Sequence, residues 1–96
     1  MECGVSKTMK ILGSKWTGMI LYYLLDGTRR FGELERFLVG ISPKTLALRL
    51  QELESEGIVV KKVFAEVPLH VEYSLTEKGK SLSDIFRHME LWDKQH

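Results

Sequence analysis

The feature that most constrains this fold is a three-residue break, Val39-Gly40-Ile41, between two helical patterns. Apolar side chains recur at helical spacing over residues 31–38, so the first helix ends at this break. Gly40 can take the left-handed conformation that closes a helix. Ser42 is a strong N-cap, and Pro43 stands at a first helical position, where its missing N–H costs nothing. The sequence therefore predicts two helices joined by a tight turn.

The second helix of this pair has equally clear limits. It is predicted from Pro43 to about Glu56, and Gly57 is placed just beyond its cap. In a Schellman motif, Ile58 then packs against Leu53. The inward stripe of this helix consists of Leu46, Leu50 and Leu53.

Two more helices are predicted before this pair. Ser6 is expected to cap the first helix, and Gly13 is expected to end it. Residues 15–25 have almost no polar face, which is typical of a helix packed on several sides, so we place this segment at the centre of the core. Residues 28–30 are compatible with either a turn or a brief strand.

Beyond Gly57 the apolar period changes from about 3.6 to 2, which predicts strands over residues 58–64 and 69–75 with a turn between them. The second strand alternates, with Leu69, Val71, Tyr73 and Leu75 on its apolar face. Thr76 can cap a single last helix. The predicted fold class is α+β but mostly α: a winged helix-turn-helix with a three-helix core and a two-stranded β-wing, in one domain spanning residues 1–96.

Composition excludes several classes of protein. The longest apolar run has seven residues, whereas a membrane helix needs about twenty, and no secretion signal is recognisable, so we expect a cytoplasmic chain with no membrane partner. One cysteine and three scattered histidines predict no disulfide, no metal and no cofactor. The surface carboxylates come without a nucleophile-base pair or a phosphate loop, so no enzyme activity is predicted.

Charge and element order together favour double-stranded DNA as the partner. Residues 1–50 contain eight Lys and Arg against four Asp and Glu, whereas residues 51–96 contain six against nine. A basic half within a nearly neutral chain is compatible with a nucleic-acid surface. In a helix-turn-helix, the second helix presents its N-terminal half to base edges in the major groove. The alternative is a winged-helix module that docks another protein without touching DNA.

The candidate DNA contacts come from three segments. Ser42 and the free N–H groups at its helix start can hold a phosphate, and Arg29 and Arg30 can clamp the flanking backbone. Lys61, Lys62 and His70 belong to the wing. With the leucine stripe facing inward, the helix directs Lys44, Thr45, Leu48, Gln51 and Glu52 outward, with Arg49 at the flank. Of these, all but Glu52 are candidate DNA contacts, together with Pro43 at the helix start.

Six short motifs follow one another over nearly the whole chain: GSKWT (13–17), DGTRRF (26–31), ISPKTL (41–46), RLQELE (49–54), EVP (66–68) and VEYSLTEKG (71–79). Together they resemble the HxlR-type family of prokaryotic transcriptional regulators. The resemblance implies a homodimer, built on the first and last helices, that binds operator DNA at the nucleoid as a repressor or an activator. The chain departs from the family pattern at Cys3-Gly4, where many members have Cys-Pro, and at His70, where many have a basic residue.

Surplus apolar residues at both ends of the chain also favour a homodimer, which would read an inverted repeat with half-sites about 34 Å apart. The alternative is that these residues pack inside the monomer. The candidate dimerisation residues are Met9, Leu12, Leu82, Ile85, Phe86, Met89 and Trp92.

Cys3 is a candidate redox or electrophile sensor, since some relatives of this family sense oxidants through an N-terminal cysteine. It stands just before a predicted helix, with Lys7 four residues on, and the thiolate is the form of cysteine that reacts. An ordinary thiol near the N-terminus is the alternative that the sequence favours.

Overall fold

A computed structural model describes residues 3–96 of the chain. The elements, in chain order, are α1 (Gly4–Leu12), α2 (Lys15–Leu25), β1 (Arg29–Arg30), α3 (Phe31–Phe37), α4 (Pro43–Ser55), β2 (Val59–Phe64), β3 (His70–Leu75), α5 (Glu77–Lys80) and α6 (Ser83–Gln95). None of the described helices is long and apolar enough to cross a membrane.

The core lies where α2, α3 and α4 pack against one face of a small sheet. α2 contributes three buried apolar side chains. Leu34 is buried within α3, and Leu38 is buried just after that helix ends. Leu46, Leu50 and Leu53 of α4 are all buried, as their spacing predicts. The sheet closes the core with Val59, Tyr73 and Leu75. This arrangement confirms the winged helix-turn-helix class.

The sheet has three antiparallel strands in the order β1-β3-β2. Residues 29–30, whose sequence is compatible with either a turn or a strand, therefore form a brief strand. Arg30 pairs with Glu72, and Glu72 also pairs with Lys62 on the other side of β3. At the far end of the hairpin, Phe64 is opposite His70. This register brings basic and acidic side chains of all three strands together on one part of the wing.

Both ends of α4 form as the sequence predicts. The Ser42 hydroxyl oxygen accepts a hydrogen bond from the Thr45 amide at 3.1 Å, and Pro43 opens the helix. At the other end, Gly57 has a φ of +71°, and the Ile58 amide donates to the Leu53 carbonyl at 3.0 Å. This is the backbone pattern of a Schellman motif. Gly40, in the turn before α4, also has a positive φ, of +95°.

The structure corrects the predicted start of the first helix. Its N-cap is Cys3 and not Ser6, because the helix begins at Gly4 and the Cys3 Sγ accepts a hydrogen bond from the Ser6 amide at 3.4 Å. Gly13 ends the helix as predicted. Another correction concerns Leu69, which the alternation places on the apolar face of its strand. It is 67% exposed, because β3 begins only at His70 and Leu69 lies in the turn beyond the core.

The last helix is not continuous. Thr76 caps it as predicted, but α5 ends at Lys80 and α6 starts at Ser83. The Ser81 hydroxyl donates to the Lys78 carbonyl at 2.5 Å, which a continuous helix would pair with the Leu82 amide. The Leu82 amide donates instead to the Gly79 carbonyl at 3.1 Å. The helix therefore breaks where a side chain competes for its backbone hydrogen bonds.

Candidate nucleic-acid interface

The first turn of α4 faces solvent, as a DNA-reading helix requires. Ser42, Pro43 and Lys44 are exposed, and Thr45 is half-buried beside them. The Ser42 hydroxyl also donates to the Thr45 hydroxyl at 2.9 Å, so both hydroxyls are engaged in capping the helix. This turn carries no acidic residue. Its polar surface is therefore positive, from the Lys44 side chain and the helix start itself.

Further along α4, the outer face changes in character. Leu48 and Gln51 are exposed, in agreement with the predicted outward direction. Arg49 is half-buried at the flank, and its Nη1 lies 3.2 Å from both carboxylate oxygens of Glu52. The acidic side chains of α4, Glu52 and Glu54, stand in its last turns, with Glu56 just beyond. Phosphate repulsion would keep that end of the helix away from a duplex.

The two arginines before α3 have different surroundings. Arg29 is half-buried: its Nε donates to the Tyr23 carbonyl at 3.3 Å, and its guanidinium lies over the Phe37 ring, 5.2 Å from the centroid. Arg30 is exposed, and its Nη2 lies 3.1 Å from Nδ1 of His70. Arg29 therefore joins α2 to α3, whereas Arg30 lies at the surface beside the wing.

On the wing, Lys61 and Lys62 are exposed, and the Lys62 ammonium lies 5.0 Å from the Phe64 ring centroid. His70 is half-buried and stacks near Phe64, with 4.6 Å between the ring centroids. Its Nδ1 lies 2.8 Å from Glu66 Oε1. Its Nε2 lies 2.7 Å from Glu72 Oε2, but the two groups are not oriented for a hydrogen bond.

Sequence reasoning missed the partners of His70. The four-residue spacing from Glu66 was a local signal, but proximity to Arg30 depends on the sheet register. Among residues 3–96, no group of three or more His, Cys, Asp and Glu side chains is arranged to hold a metal ion.

The terminal helices leave apolar surface uncovered within one chain. Leu12, Leu82 and Phe86 are half-buried against the core, while the other candidate dimerisation residues are exposed: Met9, Ile85, Met89 and Trp92. A cavity of about 360 Å³ opens beside them, lined by Leu12, Met19, Tyr22, Phe86 and Met89, among others. The Glu90 carboxylate of α6 beside the Tyr22 hydroxyl raises the pKa of Tyr22 above its usual value.

A tight helix-turn-helix, a hairpin directly after it and an exposed basic start to the second helix define a winged helix-turn-helix protein. The HxlR-like helix-turn-helix family model matches residues 11–96. The chain therefore belongs to that family, which confirms the resemblance carried by its motifs.

Relatives with and without solved structures agree with this membership. The chain is 42% identical over 94 residues to the HTH-type transcriptional regulator YdeP of Bacillus subtilis, covering 98% of this chain and 73% of YdeP. Its fold is similar to that of the redox regulator HypR in its reduced form, with a TM-score of 0.91, 41% identity and coverage of 97% and 92%. The reduced form of the transcriptional regulator YodB from B. subtilis gives a TM-score of 0.84, 42% identity and coverage of 99% and 94%.

Proposed function

We propose that this protein is a transcriptional regulator that binds an inverted-repeat operator as a homodimer in the cytoplasm, at the nucleoid. The observation that carries the proposal is the division of α4, whose first half bears the exposed Lys44 and the half-buried Arg49 while its acidic residues begin at Glu52. A duplex attracts the first half and repels the second, so the helix enters the major groove with its N-terminus first. The family of transcriptional regulators to which this chain belongs is not a class of enzymes.

The proposed contacts follow from exposure. Lys44, Leu48 and Gln51 face outward from α4 and are in position to reach base edges or the adjacent backbone. Arg30, Lys61 and Lys62 are exposed around the wing and bind phosphates. Arg29, held by Tyr23 and Phe37, supports this surface from below.

The proposed dimer uses α1 and α6. Among exposed large apolar residues, Trp92 is 64% exposed and Met9 is 53% exposed, and both belong to these helices. A second copy with the same faces would cover them in an isologous interface. Two copies of α4 would then lie about 34 Å apart, which matches half-sites one helical turn apart.

Salt dependence and a matched pair of lysine variants test this function. We expect binding to a duplex, selected by the wild-type protein from random sequences, to weaken steeply between about 50 and 200 mM salt because counterions are released. If Lys44 contacts a phosphate, Lys44→Ala should reduce the slope of log affinity against log salt by about 1. If Lys44 contacts a base, the variant should lose about 1–3 kcal/mol of binding free energy and discriminate less at that base position. Lys80→Ala is the control, since it removes the same charge from an exposed site on α5.

Unchanged affinity of Lys44→Ala for the duplex would show that the outward face of α4 does not bind DNA. Salt-insensitive binding to another protein, with no duplex binding, would instead support the docking module.

We also propose that Cys3 modulates DNA binding when it is oxidised. The exposed thiol caps α1, a helix of the proposed dimer, and the similar protein HypR is itself a redox regulator. Diamide can oxidise two Cys3 thiols, from two chains, to a disulfide and is itself reduced. We expect diamide to change the duplex affinity of the wild type and not that of Cys3→Ser, and equal affinities with and without diamide would contradict the proposal.

A further inference from the structure

His70 lies at the meeting point of three charged side chains from different parts of the chain. Glu66 Oε1, in the wing turn, is 2.8 Å from Nδ1, and Glu72 Oε2, on β3, is 2.7 Å from Nε2. Arg30 Nη2, on β1, is 3.1 Å from the same Nδ1. The imidazole side chain is only 12% exposed, so it cannot turn freely into solvent to avoid these neighbours.

The two contacts of Nδ1 require opposite protonation. A carboxylate only accepts hydrogen bonds, so Nδ1 must carry a proton to bind Glu66. A guanidinium only donates, so Nδ1 must present its lone pair to bind Arg30. Because one nitrogen cannot do both at once, Glu66 and Arg30 compete for it. The Nε2 atom beside Glu72 carries its proton in both states.

We propose that His70 is a positioning residue of the DNA interface, holding the Arg30 guanidinium on the wing when Nδ1 is unprotonated and releasing it to a phosphate when Nδ1 is protonated and binds Glu66. The proposal rests on the DNA-binding function proposed above. Protonation comes from solvent and leaves an imidazolium between two carboxylates. DNA affinity is therefore expected to rise as the pH falls.

The surroundings of His70 permit this exchange. From β2, the Phe64 ring packs on the imidazole, with the Lys62 ammonium on that ring. From α3, Glu33 and Arg36 line a neighbouring cavity of about 400 Å³ that also includes Arg30 and His70. The Glu33 carboxylate accepts from the Arg30 backbone amide at 2.9 Å, which fixes the backbone while leaving the guanidinium to move.

Duplex binding at two pH values tests the proposal. The probe is a 30-bp duplex of the sequence that the wild-type protein selects from random sequences, titrated at about pH 6 and pH 8, where histidine side chains change charge. We expect about three- to tenfold tighter binding at the lower pH, since each proton taken up changes affinity by at most tenfold per pH unit. The salt slope should also be steeper by about 1 at the lower pH, because one more phosphate is bound.

Three variants separate this mechanism from others. His70→Gln should remove the pH dependence, and His88→Gln, on the exposed side of α6, should retain it. Arg30→Ala should bind more weakly and also lose the pH dependence, because the effect of His70 passes through Arg30. If Arg30→Ala keeps the wild-type pH dependence, the imidazolium contacts phosphate directly and the positioning role is wrong.

A measurement without DNA tests the contact between Arg30 and His70 separately from the proposed function. In ¹⁵N-histidine-labelled protein at about pH 8, Arg30→Ala should move the Nδ1 signal of His70, because it removes the donor to the unprotonated nitrogen. The signals of His88 should not move. An unchanged Nδ1 signal of His70 would overturn the proposal, whereas loss of duplex binding by the wild type would contradict the DNA-binding function on which the proposal rests.

Discussion

Helices α4 and α6 are both 13 residues long, yet only α4 buries its apolar stripe against the rest of the chain. α4 buries Leu46, Leu50 and Leu53, and its outer face is mostly polar. α6 buries no residue, although its sequence has a well-formed apolar stripe that includes Met89 and Trp92.

The difference shows that an amphipathic pattern does not say what covers its apolar side. In α4 the apolar stripe is covered by α2, α3 and the sheet of the same chain, so the outward face is left for a polar ligand. In α6 most of the stripe faces solvent, which suits an apolar partner such as a second copy of this helix. The two helices therefore suit the two different kinds of binding proposed for them.

The largest effect expected from this comparison is on stability. Leu50 is 0% exposed in α4, so Leu50→Ala should lower the free energy of unfolding by about 2–5 kcal/mol through lost burial and a cavity. Leu48→Ala removes the same atoms two residues earlier, at a 48% exposed position, and should change it by less than about 1 kcal/mol. Urea unfolding at one fixed protein concentration measures both.

Similar losses for the two leucine variants would mean that the outer face of α4 is also covered and is not free to bind a polar ligand.

The next effect concerns association. Trp92→Ala should weaken the proposed dimer by about 2 kcal/mol or more, because large aromatic residues commonly dominate interfaces. Sedimentation velocity over a range of micromolar concentrations follows the monomer-dimer equilibrium. Val67→Ala is the control, since Val67 is a fully exposed apolar residue on the wing, away from α1 and α6. A wild-type chain that sediments as a monomer, or a Trp92→Ala variant that dimerises normally, would contradict the role of α6.

Sequence reasoning located α4 accurately because the signals that limit it are local. Ser42, Pro43 and Gly57 act on backbone within a few residues, so the helix bounds follow from these residues. The break between α5 and α6 was missed because the apolar period continues through residues 82–92 and conceals the Ser81 hydroxyl that takes the Lys78 carbonyl. A side chain at Gly79 would collide with the Ile58 carbonyl, so this glycine docks α5 closely on the sheet before the chain turns into α6.

The candidate site divides in the same way. Exposure of Lys44 and Gln51 follows from helical periodicity once the leucine stripe is placed inward. The engagement of Arg29 with Phe37 and Tyr23 requires the packing of α2 on α3, which periodicity does not describe.

A smaller effect tests whether Gly57 sets the end of α4. Gly57 has open space around its Cα but a φ of +71°, so Gly57→Ala should destabilise the protein by about 1–2 kcal/mol through backbone strain alone. Gly32→Ala, within α3, also meets open space but has no left-handed φ, so it should be neutral or slightly stabilising. Thermal unfolding distinguishes the two, and equal melting temperatures would show that the end of α4 does not depend on Gly57.

The smallest effect compares two tyrosines: Tyr73, which is influenced by Glu54 of α4, and Tyr22, which is influenced by Glu90 of α6. Burial, followed by the charge of Glu54, raises the pKa of Tyr73, whereas the pKa of the exposed Tyr22 is raised first by the Glu90 carboxylate of α6. Glu90→Gln should therefore bring the Tyr22 pKa down towards 10.0 and leave Tyr73 unchanged, as NMR of labelled tyrosine rings would show.

The raised pKa of Tyr73 also has a consequence for stability with a definite sign. Below pH 10 the phenol is neutral in both states and its contribution is fully present. Above that pH the unfolded chain loses its proton first, so the contribution declines until the pH passes the folded pKa. Tyr73→Phe should therefore lose less stability than the wild type between about pH 9 and 11, where tyrosine titrates. Equal alkaline losses would mean that Tyr73 ionises as freely in the sheet as in the unfolded chain. The packing of α4 and the wing would then leave its phenol open to solvent.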